Sequence, residues 1–272
     1  MEIIELQKIA KIARSRIILN SYKSKTPHLG SCLSCVDILI ALYFYKLKID
    51  PKNFKSLVRD RFILSKGHGV PALFQILAMR GFYSDSLLND YGEDGSIFHE
   101  HPPLPDHLPG IEAATGSLGH GLSIGLGMAI SSTINDDDFG VYVLLGDGEC
   151  NEGSVWEAAT MAVAQKVENL TIFVDANKWQ ATDRSADLVG FTSLKGKWSS
   201  FGWNTYEIDG NNMEEILDVL SKDSIKGVPT AVILNTVKGK GVSFMEDDNN
   251  WHYRVPSKEE VELAFNELDI KL

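Results

Sequence analysis

Residues 141–177 read VYVLLGDGECNEGSVWEAATMAVAQKVENLTIFVDAN. Val141 to Leu145 is an unbroken apolar run of strand length that stops at Gly146-Asp147-Gly148. A helical stretch follows from about Ser154 to Lys166. A second apolar run, Leu170 to Val174, then ends at Asp175-Ala176-Asn177. Unbroken apolar runs mark strands covered on both faces, and strand–helix–strand order marks a parallel pair joined by a crossover. The same alternation continues outward: a helix near 192–201, a strand at 204–208, a helix from Met213 to Leu220, and a last strand from Thr230 to Asn235. The fold class is α/β, a doubly wound, mostly parallel sheet flanked by helices.

Towards the N-terminus, Ile3, Leu6, Ile9, Ala13 and Ile17 recur at helical spacing over residues 2–21. Thr26-Pro27-His28-Leu29-Gly30 breaks that helix, and Val36 to Leu47 reads as a buried one. Arg61 to Leu64 is a short strand ending in Ser65-Lys66-Gly67-His68-Gly69, and Pro71 suits the first turn of a helix running to about Arg80. Residues 92–112 are rich in Gly, Pro and His without a period, and loops of about this length inside a domain are usually functional. From Thr115 small residues crowd a helix, Gly116, Gly119, Gly121, Gly125 and Gly127 among them, so another backbone can approach it closely. Ser257 with Glu260 opens a final helix as a capping box. No linker, repeat or low-complexity segment interrupts the chain, which predicts one domain over 1–272.

The 272 residues are 44% apolar, enough for a core that needs no disulfide or metal staple. Acids outnumber bases 37 to 26, and a net charge of −11 argues against nucleic-acid binding, which rests on a basic face. No apolar run reaches the ~20 residues of a membrane span, and the first residues lack a signal-peptide pattern, so a cytoplasmic location is expected. Cys32 and Cys35 form a C-x-x-C, but with only Cys150 besides them they read as small buried thiols.

A doubly wound sheet binds ligands beyond the carboxyl ends of its strands. Asp147 and Asn177 stand there, each just after a strand. Asp plus Asn suits a hard cation with oxygen ligands, and magnesium commonly completes its shell with phosphate oxygens and water. Gly146 and Gly148 let main-chain N–H groups approach such phosphates, and the following helix offers its positive end. The plainer alternative is an Asp and an Asn in two ordinary turns. Neither G-x-G-x-x-G nor G-x-x-x-x-G-K-[ST] occurs. Several of the seven histidines, His28, His68 and His101 among them, sit beside Gly or Pro in turns. Gathered at one sheet edge they would suit proton movement near neutral pH.

In chain order these pieces resemble the thiamine-diphosphate-binding, N-terminal part of the transketolase family. The segments are His28-Leu29-Gly30-Ser31, Leu64 to Gly69, His101-Pro102, Pro109 to Gly119, Gly146 to Gly153, Asp175 to Lys178, Thr236 to Gly241, and Trp251-His252. The family signature, Gly-Asp-Gly with Asn about thirty residues on, is met by Asp147 and Asn177, 30 positions apart. The resemblance implies that Asp147, Asn177 and the main-chain carbonyl of Trp179 hold Mg2+ or another divalent cation such as Ca2+ or Mn2+. It implies that Gly146, His68 and His252 contact the diphosphate of thiamine diphosphate and that Gly116 and Leu118 flank the cofactor. It gives His28, His68, His101 and His252 the reacting carbons and hydroxyls of a ketose donor, and Glu152 and Glu157 a subunit interface.

There are departures. His120 stands where Gln is usual, Tyr253 where Gly is usual after the histidine, and Asp183 replaces a glycine soon after the metal turn. The loop 92–108 is also longer than expected. Family members that work alone carry two further domains, one with the glutamate that protonates the aminopyrimidine. The resemblance therefore implies one subunit of a split transketolase. A separate C-terminal subunit would carry the pyrimidine-binding domain, in a heterotetramer built on a homodimer core. The implied reaction transfers a two-carbon ketol unit from a sugar or sugar phosphate to an aldose. The alternatives are a non-catalytic relative and one half of a decarboxylase or synthase that takes a 2-oxo acid.

Overall fold

A computed structural model describes residues 1–189 and 193–271. Five strands form one sheet: β1 (Arg61–Leu64), β2 (Val141–Gly146), β3 (Leu170–Ala176), β4 (Asn204–Asp209) and β5 (Thr230–Asn235). Their order is β1-β2-β3-β5-β4, and all four pairings are parallel. Helices cover both faces because the side chains of each strand alternate between them. Phe62, Leu64, Leu144, Phe173, Val232 and Leu234 pack on one side. Their partners there are α1 (Ile3–Ser24), α3 (Val36–Ala41), α4 (Val70–Arg80), α9 (Met213–Ser221) and α10 (Lys258–Leu268). Ile63, Val143, Leu145, Ile172, Val174 and Ile233 pack on the other side against α5 (His120–Ile134), α6 (Gly153–Ala164) and α8 (Leu194–Ser200). Each fully buried side chain of this size contributes roughly 1.5–3 kcal/mol, so the two apolar layers fix which way each strand faces.

The strands lie where the sequence puts them, and four helical segments differ in detail. A short helix α2 (Leu29–Ser34) follows the turn at 26–30, so that turn redirects the chain and does not open a loop. The stretch Val36 to Leu47 is α-helical only to Ala41 and then widens into a π turn, Leu42–Lys46, closed by Leu47 N donating to Leu42 O at 2.9 Å. The glycine-rich helix begins at His120 and not at Thr115, because Gly119 takes φ 85° and ends the preceding turn. The helix expected near 192–201 is α8, and position 192 lies outside the described residues. A further helix, α7 (Ser185–Val189), has no periodic apolar pattern to announce it.

The loop 92–112 is tied down at several points. Phe98, Leu108 and Ile111 are buried, and the nearly buried Glu112 pairs with Arg59, whose Nη2 donates to Oε2 at 3.0 Å. The capping box of Ser257 and Glu260 is present at α10. Cys32, Cys35 and Cys150 are all buried, and burial pushes the Cys35 thiol up to about 11.

Candidate functional site

Gly146 pairs with Asp175 across β2 and β3, so the residues just past the two strands emerge side by side. Asp147 and Asn177 are both buried. Asp147 Oδ1 accepts from Gly148 N at 2.9 Å, and Oδ2 accepts from Lys178 N at 3.1 Å and Ser185 Oγ at 2.8 Å. Burial pushes its pKa up to about 6, against the pull of the Ser185 hydrogen bond. Asn177 Oδ1 accepts from Trp179 N at 3.1 Å, and Nδ2 donates to Asp175 Oδ2 at 3.3 Å, which sets the amide's orientation.

Beneath them lies a pair to which the sequence reading gave no role. Asp175 is fully buried at the end of β3 and accepts from Lys66 Nζ, Thr236 Oγ1 and Ser34 Oγ, the last at 2.6 Å. Lys66 Nζ also donates to Ser31 O at 2.9 Å. Burial alone would lower the Lys66 pKa and raise that of Asp175. Facing each other, the lysine is held up and the carboxyl down. Taking one partner from such a buried pair costs about 3–5 kcal/mol, so the pair locks the floor of the site. Glu149 does a similar job between loops. It accepts from Ser65 Oγ, from Gly119 N at 2.8 Å and from Gly146 N at 3.1 Å, and burial raises its pKa. The available signal was a Lys and an Asp at the ends of otherwise apolar strands.

Three histidines from distant segments meet above this floor. The His28 and His252 rings are 5.0 Å apart, His28 and His68 5.8 Å, and His68 and His252 5.9 Å. His28 sits at φ 72° ahead of α2, and its N donates to His252 O at 3.0 Å. Burial lowers the pKa of all three, and neighbouring Lys238 lowers each further; His252 falls to about 4. Lys238, also missed from the sequence, donates to Asn249 Oδ1 at 2.6 Å and lies 3.4 Å from His252 Nδ1. Burial and Lys66 bring its own pKa down to about 8. His101 is exposed and lies against Gly116, where an added Cβ would come within 2.7 Å of His101 Cδ2. Gly116, at φ 143°, thus lets the long loop close on residues 115–119.

Apart from His101 and Glu157, every site residue expected from the sequence lines one cavity of about 360 Å³. Glu152 is exposed at its rim, and Glu157 is exposed one turn along α6. The donor set fits a divalent cation and an oxygen-rich ligand. Asp147 is a buried carboxylate whose hydrogen-bond donors are all neutral. Gln180 Nε2, on the cavity wall, is buried without a partner. Among the described residues no three His, Cys, Asp or Glu side chains cluster as a metal site. A cation here would therefore complete its shell from a main-chain carbonyl, water and ligand oxygens.

A family model described as "Transketolase, thiamine diphosphate binding domain" matches residues 7–271. An apulose-4-phosphate transketolase subunit of Phocaeicola vulgatus is 40% identical over 273 residues, spanning 100% of this chain and 96% of that protein. The 6-deoxy-6-sulfo-D-fructose transketolase subunit SqwG of a Clostridium species is 37% identical, spanning 98% of this chain and 97% of that one. The crystal structure of transketolase from Campylobacter jejuni matches with a TM-score of 0.91 at 28% identity, covering 99% of this chain and 43% of that chain. The chain thus spans less than half of that solved enzyme and nearly all of the two named subunits.

Proposed function

The chain belongs to the transketolase family, and on that premise we propose that it is the thiamine-diphosphate-binding subunit of a two-chain transketolase. The observation that carries this reading is the convergence of Asp147, Asn177, His28, His68 and His252 on one cavity at the carboxyl edge of the sheet. Relatives of the same length named as transketolase subunits support the two-chain form. The whole chain, 1–272, acts as one cofactor-binding unit.

When bound, thiamine diphosphate supplies a nucleophilic carbon and an electron sink for moving a two-carbon ketol unit between a ketose and an aldose. The protein's part is to hold, orient and move protons. Asp147, Asn177 and the Trp179 carbonyl hold Mg2+, or Ca2+ or Mn2+ in its place. Gly146 and Gly148 leave the diphosphate room against the backbone at the end of β2, although their own N–H groups are taken by Glu149 and Asp147 and not free as the sequence suggested. His68 and His252 donate to it, and Gly116 and Leu118 flank the rings. His28, His68 and His252 are neutral near pH 7, so each can accept a proton from a substrate hydroxyl or share one with it. His101, carried on the long loop against Gly116, lies beside that cavity and would meet the substrate from there. The substrates are sugars or sugar phosphates.

The glutamate that activates the aminopyrimidine comes from a separate C-terminal subunit with a pyrimidine-binding domain. Glu152 and Glu157 lie in the contact around which a homodimer core assembles into a heterotetramer. Among the described residues no helix is long and apolar enough to cross a membrane, and the proposed setting is the cytoplasm, in carbohydrate metabolism. The test is reconstitution. The purified chain, with thiamine diphosphate and Mg2+, is assayed for ketol transfer alone and then with the product of an adjacent reading frame, and mass is measured in both states. Activity only in the mixture, at the mass of two copies of each chain, is the expected result. Full-rate transfer by the chain alone overturns the two-chain reading.

A further inference from the structure

The turn after β3 is a short hairpin. Trp179 and Arg184 form an antiparallel bridge, with Gln180 N donating to Asp183 O at 2.9 Å and Ser185 N to Lys178 O at 3.0 Å. One end of the hairpin carries Asn177, and the other carries Ser185, which holds Asp147. Across the cavity runs the segment 237–252, which brings Lys238 and His252 to the site. Asp247 joins the two. Its Oδ1 and Oδ2 each accept from a guanidinium nitrogen of Arg184 at 2.6 Å, and Oδ1 also accepts from Trp179 Nε1 at 2.8 Å. The guanidinium lies over the Trp179 ring, 3.8 Å from its centroid. Asp247 N donates to Lys238 O at 2.8 Å. A second tie runs beside this one, from Asn249 Nδ2 to Ala181 O at 3.2 Å, and the same Asn249 accepts from Lys238. The open cleft between the two segments is walled by Ala181, Asn249, Asn250, Tyr253 and Arg254.

We propose that Arg184, Asp247 and the Trp179 indole form a latch across the rim of the cavity, which sets how long the cofactor stays bound. The inference rests on the cofactor reading above. The three side chains are positioning residues. Arg184 and Asp247 stand partly in solvent, with side chains 34% and 53% exposed. A diphosphate held between Asp147–Asn177 and His252 touches both segments, so its departure through the cleft requires them to part. The latch ties that parting to the loss of a bidentate charge pair and a cation–π contact. An exposed ion pair by itself is worth little. Bidentate geometry and stacking raise that, which scales the effect to about 3- to 10-fold in dissociation rate. Lysine cannot replace Arg184 here, because it offers neither the planar fork nor the stacking face.

The experiment follows release of radiolabelled thiamine diphosphate, loaded with Mg2+ onto the chain with its partner chain, after a chase of unlabelled cofactor. Asp247→Asn suits the left-handed backbone at φ 59° and removes the charge and one of the two acceptor oxygens. Arg184→Met keeps the stem and removes the fork. Both should speed release about 3- to 10-fold, with kcat at saturating cofactor and the unfolding midpoint kept. The double variant should be no faster than the faster single one, and the wild-type advantage should shrink at ~1 M salt. Arg184→Lys should behave like Arg184→Met. Unchanged release in both single variants, or a double variant equal to the product of the singles, overturns the latch. Asp147→Ala is the separate control, expected to weaken cofactor binding about 10- to 100-fold. If it binds like wild type, the metal assignment falls and the latch stands; if wild type does not bind at all, the cofactor reading falls and the latch with it.

Discussion

Asp147 follows β2 directly, Asp175 lies at the end of the neighbouring β3, and Asp147 N donates to Asp175 O at 3.3 Å, yet their charges are handled in opposite ways. Asp175 has Lys66 and is held ionised, while Asp147 has only neutral donors and rises to about 6. The first belongs to the frame of the site, and the second is the carboxylate that the proposed cation would neutralise. The histidines divide in a similar way. His68 is wedged between His28, His252 and the two lysines, whereas His28 also faces Glu100 and His101 of the long loop. His28→Ala and His101→Ala should therefore lower kcat by roughly 10²–10⁴ with cofactor affinity nearly kept, while His68→Ala should weaken the cofactor as well. Steady-state kinetics of the reconstituted enzyme, with a parallel cofactor titration, decides this. Wild-type kcat in both variants would return His28 and His101 to the status of ordinary loop residues. The juxtaposition of Asp147 and Asn177 was legible in the sequence because each directly follows its strand. Lys66, Glu149 and Lys238 were not singled out, because nothing local distinguishes a buried lysine or glutamate from a solvated one.

At the scale of elements, α5 shows what its glycines are for. A Cβ on Gly121 would lie 2.5 Å from Ser65 Cβ and 2.9 Å from the Ser65 main chain, and one on Gly125 would lie 2.6 Å from Val143 Cγ2. Gly127 faces open space. The first two let the helix sit directly on β1 and β2, which brings Gly119 N within reach of Glu149. Gly121→Ala should thus destabilise the chain by about 1–3 kcal/mol through overpacking. Gly127→Ala should stabilise it by roughly 0.5–1 kcal/mol, since a mid-helix glycine only loses conformational entropy there. Denaturant unfolding of the isolated chain measures both, and equal effects of the two substitutions would refute this account of α5. The crowding of small residues was visible in the sequence. Which of them touch a strand was not, because the helix begins five residues later than the crowding does.

For the whole molecule, the cavity is closed below by the sheet, at the sides by the loops 65–69, 115–119 and 177–185, and above by His252. The exposed Glu152 also belongs to its wall. Glu152 and Glu157 are exposed in the single chain, and Glu152 lies against Gly119 at the start of α5. Assembly should bury them, and a buried carboxylate needs a partner or a proton. Hydrogen exchange over 115–134 and 149–160 should slow when the partner chain is added, and Glu152→Lys with Glu157→Lys should reduce the assembled mass. Unchanged exchange there would move the interface elsewhere. The sequence by itself determined the strands, most of the helices around them and the placing of Asp147 and Asn177 at strand ends, because apolar runs and strand-end turns are local. Only the tertiary structure decided that residues 28, 68 and 252 form one cluster, that Lys66 finds Asp175, and that Arg184 finds Asp247. Those contacts span from about 40 to more than 200 positions, and they exist because the strands stack in the order β1-β2-β3-β5-β4, with both apolar faces covered. The burial energy of whole strands chooses that order, and no short stretch of sequence carries it.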